Sequence, residues 1–354
     1  MSDAPKAGPE MRRMMRKRLI GVGVALATLV AAMALAACGE KEEGTAAEGV
    51  QRLDLALDWY PNPDHAGIYV AKRRGYFRDA GLGVTIEAPS DPTAPIKQVA
   101  AGRVDLAISY APEVLLAHQR GLDVVSVAAL VDRPLTSMIW LRESGIDDVG
   151  DLRGKTIATA GIPYQEAYLE TILARANLSP SDVKTVNVGT GLLPALVGGR
   201  AEAMLGGFRN IEGVDLRLRG KQPTVQPVDQ LGVPGYDELV LVANRARLEA
   251  DPEPVRLFLA ALERGTAAAA EDPEAATNAV LAANEALEPK LTAAETRATL
   301  PLLSPTRPGR PYGYMSPGRW REFIGWMRDN GQLAGLPAPA DVLTNDYLPG
   351  EIPE

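Results

Sequence analysis

Apolar and polar residues alternate over residues 53–58, with leucine at every second position. This period of two predicts a strand with one buried face. Two prolines interrupt residues 59–64, and because proline cannot extend a strand ladder, we predict a turn there. Asp64 is predicted to cap the helix that follows, which carries Ile68 and Tyr69.

The alternation of strand-like and helix-like segments continues along the chain. Further predicted strands are 84–87, 104–110, 124–131, 137–141, 156–158, 183–188, 201–206 and 236–244. Further predicted helices include 165–178, 192–197, 253–270, 273–286, 293–303 and 317–330. Regular β-α alternation predicts an α/β fold with parallel sheets and helices on both faces.

Two segments, 135–142 and 236–244, read as strands that leave the first sheet and return to it. They predict a two-lobed clamshell whose first lobe is discontinuous in sequence. We predict that the first lobe consists of residues 51–138 plus 240–354 and the second of residues 139–239. Two lobes of this size are consistent with a chain of 354 residues.

The N-terminus has the pattern of an export signal. Residues 11–18 are basic, residues 19–37 carry no charge, and Leu35-Ala36-Ala37 precede Cys38. Small residues before a cysteine resemble a bacterial lipobox, which predicts a signal peptide over 1–37, acylation of Cys38 and a flexible tether over 38–50. The alternative is a permanent N-terminal anchor helix.

Composition excludes several classes of site. Cys38 is the single cysteine and there are two histidines, so the sequence supports neither a disulfide nor a Cys-rich or His-rich metal site. The formal net charge is −8 and no basic patch is present, which argues against nucleic-acid binding. Residues 150–155 fall one residue short of a phosphate-binding loop, and a strand follows them where that loop would open a helix.

Polar and aromatic residues follow several predicted strands. Small ligands bind at the carboxyl ends of strands in open α/β sheets, so we expect these side chains to face one cleft. The predicted ligand-binding residues are Trp59, Tyr60, Asn62, His65, Tyr110, Glu113, Gly161, Tyr164, Glu166, Asn210, Glu212, Tyr236 and Asp237. For some of them a structural role is open: Glu166 suits a helix cap, and His65 suits packing against the sheet.

One block carries a resemblance to a known family. Residues 58–71 read D-W-Y-P-N-P-D-H-A-G-I-Y-V-A, and G-Y-F follows at 75–77. This block resembles the N-terminal signature of the NMT1/THI5-like solute-binding proteins, and the resemblance continues through residues 89–93, 101–107 and 206–212. It implies the type II periplasmic-binding-protein fold.

The resemblance also implies a function. Many members of this family bind pyrimidine precursors of thiamine and deliver them to an ABC importer. The chain is thus expected to be a monomeric, extracytoplasmic, lipid-anchored protein without a cofactor, whose partners are an aminopyrimidine, a permease and an ATPase.

By resemblance to the pyrimidine-binding members, Trp59 stacks on the ligand ring and Glu212 accepts a hydrogen bond from its amine. Riboflavin is the alternative ligand, since it also stacks and its ribityl chain could use Asn62, Asn210 and Glu166. An oxoanion or sulfonate suits a cleft with several carboxylates less well.

The rival class is an enzyme, because eukaryotic relatives synthesise the thiamine pyrimidine from their own histidine and a lysine-bound pyridoxal phosphate. Placed on their pattern, this chain has Ser109 at the lysine position and Glu113 at the histidine position. Their cysteine run corresponds to residues 237–241, which contain no cysteine. Without the amine no Schiff base forms, so we expect a binding protein and keep a pyrimidine-synthase-like enzyme as the less favoured alternative.

Overall fold

The structure is a computed structural model in which residues 50–303 and 309–350 are described. The predicted signal peptide, the predicted lipidation residue Cys38 and the predicted tether up to residue 49 lie outside the described residues. Within the described part of the chain, no helix combines the length and the apolar character needed to cross a membrane.

Ten strands and thirteen α-helices make up the described fold. The strands are β1 Gln51–Ala56, β2 Leu82–Glu87, β3 Leu106–Ser109, β4 Val124–Val131, β5 Thr136–Leu141, β6 Thr156–Thr159, β7 Lys184–Asn187, β8 Ala203–Phe208, β9 Pro223–Pro227 and β10 Leu239–Asn244. The helices are α1 Ala66–Arg73, α2 Tyr76–Asp79, α3 Ala94–Ala100, α4 Ala111–Gln119, α5 Gln165–Ala174, α6 Leu192–Val197, α7 Glu212–Leu218, α8 Arg245–Ala250, α9 Glu253–Glu271, α10 Pro273–Leu281, α11 Pro289–Thr299, α12 Pro317–Asp329 and α13 Pro339–Val342.

The strands form two five-stranded sheets, in the orders β2-β1-β3-β10-β4 and β7-β6-β8-β5-β9. The predicted two-lobed α/β fold is therefore confirmed. The predicted parallel pairing is found for β1 with β2 and β3 and for β6 with β7 and β8. The two strands that follow the crossings differ, since β10 pairs antiparallel with β3 and β4, and β5 pairs antiparallel with β8 and β9. Both connections between the sheets run along the edge where the parallel strands end, so a strand that arrives there must run in the opposite direction.

The chain passes between the sheets through residues 132–135 and 232–238. Glu238 joins these two connections, because its carboxylate accepts hydrogen bonds from the backbone N–H groups of Leu135 at 2.7 Å and Thr136 at 2.8 Å. The predicted lobe boundaries stay a prediction at the level of single residues. The strand pairings assign all of β5 to the second sheet and all of β10 to the first.

The outer edge of the first sheet is covered by the C-terminal part of the chain. Strand β4 is buried along its whole length although it is an edge strand. The N–H of Ala129 donates to the carbonyl of Gly313 at 2.8 Å, and the N–H of Thr344 donates to the carbonyl of Ser126 at 2.9 Å. Covering the edge in this way satisfies backbone groups that an open edge would expose.

Helix α1, which carries the end of the signature block, packs closely on α9. A Cβ at Gly265 would lie 2.3 Å from the carbonyl oxygen of Gly67, and a Cβ at Gly67 would lie 2.3 Å from Oγ1 of Thr266. Only glycine permits this approach of the two backbones. The contact fixes α1, and with it the turn between β1 and α1, against the rest of the first lobe.

Candidate functional site

A pocket lies between the two sheets, at the carboxyl ends of the parallel strands β1, β3, β6 and β8. It encloses ≈ 500 Å³ of empty space, part of it open to solvent. The residues that line it are Asp58, Trp59, Tyr60, Asn62, Tyr110, Thr136, Ala160, Ile162, Tyr164, Gln165, Leu192, Gly206, Phe208, Ile211 and Glu212.

The turn after β1 is built by Asn62. Its Oδ1 accepts a hydrogen bond from the N–H of Asp64 at 2.8 Å, and its own N–H donates to Nδ1 of His65 at 3.3 Å. Asn62 thus caps the short 3₁₀ turn Pro63–His65. The prediction that Asp64 is the cap was wrong by two residues, because Pro63 already takes the first position of the turn and the side chain before it must supply the acceptor.

Asp58 is held by a buried hydrogen-bond chain. Its Oδ1 lies 2.9 Å from Nε2 of His65, and its Oδ2 accepts a hydrogen bond from the Tyr110 hydroxyl at 2.8 Å. Because Nδ1 of His65 accepts from the Asn62 N–H, the proton of the neutral imidazole sits on Nε2 and points at Asp58. Asp58 therefore presents a carboxylate of fixed orientation to the pocket.

Aromatic rings form part of the pocket wall. The ring centroids of Trp59 and Tyr60 are 5.9 Å apart at 50°, and those of Tyr110 and Tyr164 are 6.0 Å apart at 63°. Tyr60 is 40% exposed and lies at the mouth. Flat rings on several sides of a small pocket suit a planar ligand.

Glu212 opens helix α7 on the other side of the pocket. Its Oε2 accepts a hydrogen bond from the N–H of Phe208 at 2.6 Å. Burial raises the pKa of Glu212 to about 7 against the opposing effect of the Phe208 hydrogen bond, and the charge of Asp215 adds to the rise. A ligand that brings a hydrogen-bond donor to Glu212 would stabilise its charged form.

The charge of the pocket is negative. Asp58 and Glu212 line it, and no lysine, arginine or histidine is among the described residues that do. In the described ranges no group of three or more His, Cys, Asp or Glu side chains is arranged to hold a metal ion. The pocket is therefore chemically suited to neutral or cationic ligands that donate hydrogen bonds.

A family model described as NMT1/THI5 like matches residues 62–276. This chain belongs to the NMT1/THI5-like family. The match includes the end of the signature block and most of the segments that form the pocket, so the family resemblance noted in the sequence is confirmed.

Among its relatives, the formylaminopyrimidine-binding protein of Halalkalibacterium halodurans is 37% identical over 305 residues, covering 85% of this chain and 92% of the relative. A protein named as a thiamine biosynthesis protein from Haemophilus influenzae is 38% identical over 285 residues, covering 80% of this chain and 88% of the relative. A 4-amino-5-hydroxymethyl-2-methylpyrimidine phosphate synthase of Saccharomyces cerevisiae, THI13, is 26% identical over 317 residues, covering 86% and 89%.

The fold of this NMT1/THI5-like protein is similar to that of solved binding proteins. The alkanesulfonate-binding protein SsuA from Xanthomonas axonopodis pv. citri superposes with a TM-score of 0.65 at 17% identity, covering 84% of this chain and 99% of SsuA. At this level of identity the likeness concerns the fold alone.

Ser109 and Glu113, which are expected from the family resemblance to stand at the lysine and histidine positions of the synthases, are hydrogen-bonded to each other. The Ser109 hydroxyl donates to Oε2 of Glu113 at 2.9 Å, and both side chains are buried. Burial raises the pKa of Glu113 to about 7, which the hydrogen bond from Ser109 opposes. Neither residue lines the pocket.

The structure brings six of the thirteen predicted ligand-binding residues into the pocket. These are Trp59, Tyr60, Asn62, Tyr110, Tyr164 and Glu212. They come from both sheets and from four separate segments of the chain. The sequence predicted that these segments lie together only because ligands bind at the carboxyl ends of strands in open α/β sheets.

The other seven predicted residues are not among the residues that line the pocket, and their part in ligand binding stays a prediction. His65 and Glu113 are buried behind it, in the contacts with Asp58 and Ser109. Asn210 donates to Asp64 at 2.7 Å and to Thr299 at 2.8 Å, so it joins the β8 end to the first lobe. Each of these three side chains thus has at least one hydrogen-bond partner within the protein.

The remaining four are Tyr236, Asp237, Glu166 and Gly161. The Tyr236 hydroxyl donates to Glu238 at 2.9 Å, while Asp237 is bound by Arg319 and by Nε1 of Trp320. Glu166 is exposed on the first turn of α5. Gly161 is exposed, with φ +74°, and a Cβ there would meet the side chain of Asn187.

Sequence reasoning missed nine lining residues. They are Asp58, Thr136, Ala160, Ile162, Gln165, Leu192, Gly206, Phe208 and Ile211. Asp58 carried a usable signal, since it directly precedes Trp59 in the signature block, but its place in the strand alternation hid it. Gln165 anchors the β6 loop by accepting from the N–H of Ala160 at 3.0 Å, and the apolar members have no signal apart from position.

Proposed function

We propose that this protein is the extracytoplasmic solute-binding component of an ABC importer, and that it binds a thiamine pyrimidine precursor in the pocket. The ligand is of the formyl-aminomethyl-pyrimidine or hydroxymethyl-pyrimidine type. The observation that carries the proposal is a pocket lined by two carboxylates and several aromatic residues, with no basic residue among the described residues that line it. Family membership and the formylaminopyrimidine-binding relative support it.

In this proposal the ring stacks on Trp59 and the amine donates to a carboxylate. Glu212 is one acceptor and Asp58 is the second, each reached from a different sheet. Because the ligand contacts both lobes at once, its binding favours the closed arrangement over an open one.

Calorimetric titration tests the ligand. Formyl-aminomethyl-pyrimidine, hydroxymethyl-pyrimidine, thiamine and riboflavin are compared, and an aminopyrimidine is expected to bind most tightly. Trp59→Ala should weaken its binding by roughly tenfold through lost stacking. Tyr347→Ala, a partly buried aromatic outside the pocket, serves as the control and should leave affinity unchanged. Tight riboflavin binding without any aminopyrimidine binding would reject the ligand and leave the importer class standing.

We also propose that the protein is not an enzyme. The Ser109–Glu113 pair supports this, because neither side chain can form a Schiff base or donate imidazole atoms. Incubation with pyridoxal phosphate and iron should yield no pyrimidine. Stoichiometric product with loss of His65 or His118 would overturn the assignment.

The remaining proposals concern attachment and assembly. Cys38 is proposed to be acylated after cleavage, with the monomeric protein anchored outside the cytoplasm and delivering its ligand to a permease and an ATPase. Cys38→Ser should leave an unacylated precursor in mass spectrometry of membrane fractions. A Cys38→Ser protein that is still cleaved before residue 38 and acylated would contradict the lipobox.

A further inference from the structure

Two residues that line the pocket have hydroxyls that donate to buried carboxylates. Tyr110 donates to Oδ2 of Asp58 at 2.8 Å, and Thr136 donates through Oγ1 to Oε1 of Glu238 at 2.9 Å. A hydroxyl has one proton and two lone pairs. Once that proton is used, the oxygen can only accept a hydrogen bond from a ligand.

On the Tyr110 side the direction of the bond is set by His65. The Asn62 N–H occupies Nδ1 of His65, so Nε2 carries the proton and requires an oxygen at Oδ1 of Asp58. The other carboxylate oxygen is then the acceptor for Tyr110. Burial raises the pKa of Tyr110 well above its usual range, so the hydroxyl keeps the proton that it donates.

On the Thr136 side the direction is set by the connections between the lobes. Oε2 of Glu238 receives three donors, the N–H groups of Leu135 and Thr136 at 2.7 and 2.8 Å and the Tyr236 hydroxyl at 2.9 Å. Backbone N–H groups can only donate, so this position must be an oxygen. Oε1 is left for the Thr136 hydroxyl, and in the ionised carboxylate it can only accept.

We propose that Glu238 and His65, neither of which lines the pocket, determine ligand selectivity by holding Thr136 and Tyr110 as hydrogen-bond acceptors. When one N–H of the exocyclic amine is directed to Glu212, the other faces these acceptors. The pocket therefore takes a 4-aminopyrimidine and rejects the 4-oxo analogue, which places a carbonyl oxygen opposite them. This inference rests on the proposed function, since it specifies which edge of the pyrimidine is read. Glu238 and His65 are positioning residues, because they act through Thr136 and through Asp58 and Tyr110.

The geometry makes Glu238→Gln an informative variant. The two backbone N–H groups require the amide oxygen at the Oε2 position, so the amide nitrogen replaces Oε1 and faces Thr136. The nitrogen donates to the Thr136 hydroxyl, whose proton is released for other acceptors. The Thr136 hydroxyl, which is an acceptor toward the pocket in the parent protein, thereby becomes a donor. The residues that line the pocket remain unchanged.

The experiment is calorimetric titration with 4-amino-5-hydroxymethyl-2-methylpyrimidine and its 4-oxo analogue. Because burial raises the pKa of Glu238 to about 7, the titrations are run at about pH 8.5, where the carboxylate form dominates. The parent protein should bind the amino compound at least about 100-fold more tightly than the oxo compound. Glu238→Gln should lower this ratio by about tenfold or more, since a mismatched donor replaces a matched acceptor.

Three further variants keep the test decisive. Glu113→Gln is the matched control, since Glu113 is also a buried carboxylate that accepts from a serine hydroxyl but lies outside the pocket lining, and it should leave the ratio unchanged. Thr136→Val should lower the ratio as Glu238→Gln does, and Thr136→Ser should preserve it. If Glu238→Gln does not fold, the comparison of Thr136→Val with Thr136→Ser tests the proposal.

The outcomes separate the two proposals. A parent protein that binds neither pyrimidine rejects the proposed function and this inference with it. A parent that binds the amino compound, with a ratio below about tenfold or a ratio that Glu238→Gln and Thr136→Val leave unchanged, overturns only the selectivity proposal.

Discussion

The two walls of the pocket differ in how their polar groups are satisfied. In the β1 wall, Asp58 to Asn62 with Tyr110, polar side chains are already hydrogen-bonded inside the protein: Asp58 receives two donors and Asn62 caps its own turn. The β8 wall, Gly206 to Glu212, presents a carboxylate that receives the Phe208 N–H and whose pKa burial raises to about 7. The β1 wall is therefore organised before a ligand arrives, whereas the β8 wall gains from one.

This difference indicates a division of labour. A preorganised wall orients the ligand at little entropic cost, because its side chains are already held. A carboxylate in an unfavourable environment contributes affinity, since a donor from the ligand relieves part of the cost of its charge. The predictions below test each side of this contrast.

The largest effect is expected for Asp58→Ala. The change leaves Nε2–H of His65 and the Tyr110 hydroxyl without an acceptor in a buried site. The free energy of unfolding should fall by about 2–5 kcal/mol, measured by urea denaturation. Glu143→Ala, which removes an exposed partner of Lys221, is the control and should change stability little. A loss for Asp58→Ala as small as for the control would show that the β1 wall is not held by this network.

Glu212→Gln should weaken aminopyrimidine binding by about tenfold or more while sparing the fold, because the amide presents a donor to the ligand's amine. Its second signature is the pH dependence of stability. The pKa of Glu212 is raised from 4.5 to about 7, so the folded state binds a proton that the unfolded state has lost. Without ligand, this contribution to stability is present below about pH 4.5 and declines as the pH rises to about 7.

Glu212→Gln should therefore flatten the decline in stability over that pH range, measured by denaturation at several pH values. A variant with the same pH profile as the parent would contradict the raised pKa. If Glu212→Gln binds the ligand as tightly as the parent, Asp58 rather than Glu212 is the acceptor for the ligand's amine.

Gly206→Ala should disturb the β8 wall by steric means. Gly206 has φ +112°, and a Cβ there would lie 2.4 Å from Nε2 of Gln165. Stability should fall by about 1–2 kcal/mol, and ligand affinity should fall several-fold because Gln165 is displaced from the Ala160 N–H. Gly220→Ala, with φ +73° and no neighbour within 4 Å, is the matched control, and an equal effect on ligand affinity would exclude the Gln165 contact as the cause.

The smallest effect is expected for Asn210→Ala, which removes a tie between the lobes outside the pocket. It leaves Asp64 and Thr299 without their shared donor. The ligand-free protein should be more open in small-angle scattering, and ligand affinity should fall a few-fold, equivalent to about 1 kcal/mol. Unchanged scattering together with unchanged affinity would show that this contact does not contribute to closure.

Local patterns predicted many elements well. The apolar run of β4 and the helix α6 were predicted with the bounds that the structure has, because their periodicity and flanking turns agree. Strand β9 was missed, since it begins and ends with proline and its apolar and polar residues do not alternate. Proline is tolerated there because β9 is an edge strand. Helix α7 was missed because the segment before it contains glycines that read as a turn.

Site residues could be predicted where the type of side chain and its position after a strand both indicated a ligand contact. Trp59 and Glu212 follow strands and have side chains that suit an aromatic amine, and both line the pocket. Glu113 and Asp237 follow the same rule of position, but Ser109 and Trp320 satisfy them internally. A sequence cannot distinguish a carboxylate that waits for a ligand from one that already has a donor, since the donor comes from a distant segment.

The sequence by itself determined the α/β alternation, the signature turn after β1 and the negative, aromatic character of the strand ends, because these depend on neighbours within a few residues. Only the tertiary structure decided the antiparallel insertion of β5 and β10, the pairing of Asp58 with His65 and Tyr110, and the clamp of Glu238 on Leu135 and Thr136. Glu238 and Thr136 are 102 positions apart. The direction of such a hydrogen bond depends on which groups folding brings within 3 Å of each other, as in the 2.8 Å bond from the Thr136 N–H to Glu238.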